Sequence, residues 1–223
     1  MSYQPLQIKL DAWPSVERFI RSSLEDLLFA DVHAMLRLPI PNSGIPAGCN
    51  FAIAHTLLVA VAGLSTSLYR PRKSAPTGGA FVGLLAEKYP WEIDQVEQNR
   101  ELSKLLYEEF RNPLFHHLGL SVERSKAGSQ VVDRGYVIKL ERIRGSDGNG
   151  LSEQLLEQVE TSQHWPLPGY YPQTIEIRED AKILKIEKFY WGVRKMVEEL
   201  ATDKDLMYNA NSYLSDLAPS RRC

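Results

Sequence analysis

The stretch FAIAHTLLVAVAGLSTSLY, residues 51–69, does most to limit the folds open to this chain. A helix over 48–69 is apolar nearly all round, and such a helix is stable only where other elements cover it. Its length also lies near the lower limit for a membrane span. His55, the hydroxyl residues Ser65, Thr66 and Ser67, and many small side chains point instead to the most buried member of a helical bundle. The rest of the chain must then supply amphipathic helices to wrap it.

Those helices are legible from spacing. Val16, Phe19, Ile20, Leu24, Leu27, Leu28 and Met35 recur at helical intervals and predict a helix over 14–36, closed by the proline- and glycine-rich RLPIPNSGIPAG. After the basic loop RPRKSAPTGG, a short helix is expected over 79–88, and a long polar helix starts near Trp91. On that helix Leu102, Leu106, Phe110, Leu114 and Leu118 keep a spacing of four. From residue 121 the pattern changes. YVIKLERI at 136–143 alternates like a strand, RGSDGNG at 144–150 reads as a turn, and TIEIRE at 174–179 reads as the partner strand. A short helix at about 151–160 and the aromatic loop HWPLPGYYP lie between them. Over 181–200, Ile183, Ile186, Tyr190, Val193, Val197 and Leu200 form a seam for another helix, in this chain or in a second copy. The expected fold class is mainly α. A helical bundle covers 1–125, a small β insertion with a short helix covers 126–180, and C-terminal helices at 181–223 pack back on the bundle or on a second protomer.

With 223 residues, 43% of them hydrophobic, there is ample material for a core, and the formal net charge of -2 gives no global basic field. Contact with nucleic acid would have to come from local patches. Arg70, Arg72 and Lys73 form one candidate and Arg142 with Arg144 another, solvated surface charge being the plainer reading of each. Trp165, Tyr170 and Tyr171 could stack on bases or simply close a loop over the bundle. Two cysteines cannot form a disulfide framework, and MSYQPLQIKLDAWP has no secretory pattern, so a cytoplasmic protein without a membrane anchor is expected. His33, His55 and His164 have no zinc-ligand spacing, and phosphate-loop and dinucleotide fingerprints are absent, so neither metal nor cofactor is expected.

The chemistry-bearing stretch is EEFRNPLFHHLG, residues 108–119. A proline within a helix costs ~3 kcal/mol, yet Pro113 sits in one. Asn is a favoured N-cap and Pro a favoured first helical residue, so Asn112-Pro113 is expected to restart the helix after a kink. At 100° per residue, His117 shares the core face with Phe110, whereas Asn112 and His116 point away and Arg111 lies at the flank. An Arg for phosphate charge, an imidazole of near-neutral pKa and exposed N–H groups at a helix start are the parts needed to handle a phosphodiester without a metal. Arg111 and His116 are therefore candidate catalytic residues with Asn112 capping the helix between them, polar side chains on the outer face of an amphipathic helix being the plainer reading.

LLYEEFRNPLFHHLG resembles the R-N-x-x-x-H signature of HEPN domains, down to the Leu118-Gly119 that follows the motif. The resemblance implies an all-α bundle and a homodimeric, metal-independent endoribonuclease of toxin–antitoxin or phage-defence type. Two copies would bring their motifs into one cleft, with Arg111 and His116 on the scissile phosphate and its protons and Asn112 orienting them. The ribose 2′-hydroxyl would attack and leave a cyclic phosphate. RNA, a second copy and an antitoxin or regulatory protein are the implied partners. The alternative within the same family is a non-catalytic dimer that binds nucleic acid or a partner protein.

Overall fold

The computed structural model describes residues 21–40, 49–69, 77–113, 136–145 and 148–208. They are mainly helical, with one small sheet. Helix α1 (Phe29–Arg37) continues a π-helical stretch, Arg21–Leu28. Helix α2 (Asn50–Leu64) runs on into a second such stretch, Ser65–Tyr69, and α3 (Thr77–Lys88) follows. Helix α4 (Val96–Leu105) is prolonged by a third, Leu106–Arg111. Then come β1 (Val137–Glu141), α5 (Glu153–Thr161), β2 (Ile175–Ile177), β3 (Ala181–Lys185) and α6 (Ile186–Thr202).

One hydrophobic cluster takes side chains from five helices, Phe29 from α1, Leu57 from α2, Phe81 from α3, Leu156 from α5 and Phe189 from α6, together with Phe110 from the extension of α4. Ile143 and Ile175 from the β region join it. The three stretches distinguished in the sequence thus share one core, and each fully buried side chain of this size contributes about 1.5–3 kcal/mol.

Helix α2 does not hold the most buried position. Its buried residues are 8 of 15, with Phe51 and Val59 about 40% exposed, whereas α6 buries 12 of 17. The expected seam on the last helix is real and is spent inside the chain: Ile186, Tyr190, Val193, Val197 and Leu200 are fully buried, and α6 packs on α2, α3 and α5. Asn50–Tyr69 is long and apolar enough to cross a membrane, but half of its apolar window is buried within the protein.

The sheet departs from the expected pairing of 136–143 with 174–179. Its order is β1-β3-β2, so the segment expected to open the last helix is instead the central strand. Strand β3 is parallel to β1, with Val137 opposite Ala181, and antiparallel to β2, with Ile175 opposite Leu184. A parallel pair needs a long crossover, which α5 and the loop after it supply. The turn at 144–150 therefore leads into a helix rather than back along β1. Lys185 fastens all three strands, its ammonium lying 2.9 Å from Glu141 of β1 and 2.7 Å from Glu176 of β2.

Candidate functional site

Helix α4 begins on a regular register, with the Ser103 hydroxyl donating to the Asn99 carbonyl at 2.7 Å. Over Leu106–Arg111 the register widens, and the Asn112 N–H donates to the Tyr107 carbonyl five residues back. This accounts for Pro113. A proline ring strikes the carbonyl four residues earlier in a regular helix, and a π-helical turn displaces that carbonyl. The backbone of Asn112 is right-handed helical, φ -64 and ψ -46, so the expected kink with Asn112 as N-cap is not formed. As far as Pro113 the helix continues by widening rather than by breaking and restarting.

The side chains follow from that register. Leu106 and Phe110 are fully buried, as the stripe requires, and Arg111 and Asn112 are half-buried beside them. Arg111 Nη1 donates to Asn112 Oδ1 at 2.9 Å, and the guanidinium carbon lies 5.5 Å from the centroid of the Tyr107 ring. Tyr107 in turn rests on α3, 5.3 Å from the Phe81 ring, over Gly78, where a Cβ would come within 3.0 Å of it. Arg111 is thus supported from below by an aromatic ring and from the side by its own neighbour. Glu109, on the same turn, accepts a hydrogen bond of 3.0 Å from the Tyr136 hydroxyl and lies 3.5 Å from Lys182, whose ammonium stands 4.0 Å above the Tyr136 ring. These contacts lock the widened turn of the motif helix to the start of β1 and of β3.

Tyr107 was missed in the sequence, although an aromatic four residues before an arginine on one helix face is a recognisable pairing. Lys182 was missed because it was assigned to a helix rather than a strand. His116 and His117 lie outside the described residues, as do Leu114, Leu118, Arg70, Arg72 and Lys73.

Arg142 is a correction. It was a candidate for RNA contact, but its side chain has no exposed surface, and its Nε lies 3.6 Å from Glu187 Oε1, which is equally enclosed. Its guanidinium also donates to the carbonyls of Leu36 and Leu38. The alternation of β1 ends at Glu141, so Arg142 turns inward with Ile143. Full burial pushes the Glu187 carboxyl up to about 7, with the Arg142 charge opposing the shift. Arg144, two residues on, is exposed. Of the aromatic loop, Tyr171 is buried at 4% exposure and Trp165 is packed against the core, leaving Tyr170 exposed at 56%.

No known family model, curated protein or solved structure matches this chain. The resemblance noted in the sequence therefore rests on the residues of the motif alone.

Proposed function

We propose that this chain is a metal-independent endoribonuclease of HEPN type, working as a cytoplasmic homodimer in a toxin or defence role. The observation that carries the reading is the Arg111–Asn112 hydrogen bond on the widened turn of a long helix, with His116 five residues after Arg111 in the sequence. A guanidinium whose position is already fixed loses little freedom on meeting a phosphodiester, and its planar fork matches two phosphoryl oxygens. Asn112 is the positioning residue, and Tyr107 keeps the cation on one face of the helix.

In the reaction the ribose 2′-hydroxyl gives its proton to an imidazole, and its oxygen forms a bond to phosphorus. The bond from phosphorus to the 5′-oxygen breaks, and that oxygen takes up a proton. The products are a 2′,3′-cyclic phosphate and a 5′-hydroxyl. Two protomers contribute two His116 imidazoles to one cleft, one to remove a proton and one to return it. Arg111 offsets the charge that builds on the phosphoryl oxygens.

The test is cleavage of a mixed single-stranded RNA in EDTA by wild type, Arg111→Ala and His116→Ala. Cutting by wild type alone, with cyclic-phosphate ends, supports the reading. A folded wild type that binds RNA and leaves it whole moves the protein to the non-catalytic alternative.

A further inference from the structure

A cavity of about 420 Å³ lies between the end of α1, residues 143–145 and 149–155, and Tyr170, well away in sequence from the motif helix. Its size falls in the range of small-ligand sites. Ile143 and Leu151, 3% and 4% exposed, bring apolar surface to its lining, and the Tyr170 ring stands at its edge. On the α1 side is Arg37, whose Nε lies 3.0 Å from Glu153. Glu153 also lines the cavity and meets the guanidinium through Nε, so an anion would be met at the two terminal nitrogens.

The walls are built rather than incidental. Gly150 lines the cavity, and a Cβ there would overlap the Leu36 carbonyl oxygen and the Arg142 guanidinium. Arg142 binds the Leu36 and Leu38 carbonyls, and the Ile143 N–H donates to Glu187 at 3.1 Å. The buried ion pair therefore clamps both the end of α1 and the loop, and the cavity exists before any ligand arrives. Pre-formed walls reduce the ordering cost of binding.

We propose that this cavity binds one nucleotide, the base stacked on Tyr170 and the phosphate held by Arg37, as an RNA subsite separate from the catalytic motif. A ring with an open face takes any base, and a guanidinium takes the phosphate. The Ser152 hydroxyl, which accepts from the Leu155 N–H at 3.4 Å, keeps its own hydrogen to donate to a base edge. The choice of RNA as the source of that nucleotide rests on the ribonuclease reading. The cavity itself does not.

The experiment measures fluorescence anisotropy of a 5′-labelled single-stranded RNA 12-mer on the full chain carrying His116→Ala, so that the strand stays intact. Tyr170→Ala is expected to weaken binding about tenfold, whereas Tyr170→Phe keeps it. Arg37→Gln is expected to weaken it and to flatten the salt dependence by the share of one phosphate, about 0.7 in slope. A competition arm with adenosine monophosphate separates a strand subsite from a free-nucleotide site: displacement of the 12-mer only at millimolar levels indicates the strand. Tight binding of the monophosphate that Tyr170→Ala abolishes keeps the site and changes its source. If the 12-mer binds and Tyr170→Ala leaves its affinity unchanged, the subsite is overturned and the ribonuclease reading stands. If Tyr170→Ala weakens binding while wild type cuts nothing in EDTA, the ribonuclease reading falls and the subsite stands. Failure of both the 12-mer and the monophosphate to bind overturns the proposal outright.

Discussion

Removing the guanidinium of Arg142 would leave the Glu187 carboxylate fully enclosed, with the Ile143 N–H at 3.1 Å as its remaining donor among the described contacts across the fold. Losing one partner of a buried ion pair costs about 3–5 kcal/mol, far more than losing both to apolar residues. Arg142→Ala is therefore expected to lower the unfolding free energy read from urea titration by that much, and Arg142→Met with Glu187→Leu to recover most of it. The same pair sets a pH dependence. The carboxyl of Glu187 titrates at about 7 when folded against an ordinary value of 4.5, so the folded chain holds this proton more tightly. Its stabilisation is full below pH 4.5 and is lost as pH rises through about 7. Glu176 works in the opposite direction: hydrogen bonds from Arg178 and Lys185 hold its carboxyl down to about 2, and what it contributes is present above 4.5 and lost as pH falls toward 2. Urea midpoints at pH 5 and pH 8 should fall for wild type, and Glu187→Gln should flatten that difference.

Among the elements, the widened end of α4 invites the most direct test. Pro113→Ala removes the reason for the π-helical turn, letting the helix return to a regular register and rotating Arg111 away from the position that Tyr107 and Asn112 fix. The expected result is an unchanged or raised melting temperature with RNA cleavage reduced tenfold or more, both read on the same preparation. This element shows where sequence reading works. The stripe of Leu106 and Phe110 was plain because helical spacing reports burial directly, and so was the presence of α1, α2 and α3. Strand β3 was hidden for the converse reason. A central strand buried on both faces reads as a continuous apolar run, and AKILKIEKFYW lets Ile183, Ile186 and Tyr190 satisfy helical spacing across the strand–helix junction. Arg142 was hidden because nothing in KLERIR tells an outward arginine from one that meets a glutamate 45 residues later. At the motif, the triad of residue types was legible, but the turn geometry was not, since a proline in a helix signals a kink and a widened turn equally well.

For the whole molecule, the reading of a composite cleft requires two chains, so sedimentation should give twice the 25.3 kDa of one protomer, and specific cleavage activity should fall on dilution below the dissociation constant of the dimer. Helix α6 carries a different consequence. It is the most enclosed helix of the described structure, although its residues come after more than four fifths of the chain, and it packs on α2, α3 and α5. A nascent chain still lacking residue 186 has the motif helix already synthesised and able to meet α3, but α2, α3 and α5 lack the helix that covers them. Completion of the core is therefore expected to wait until the ribosome has delivered α6. Chains stalled before that point should be digested by protease within the time that the finished protein survives intact.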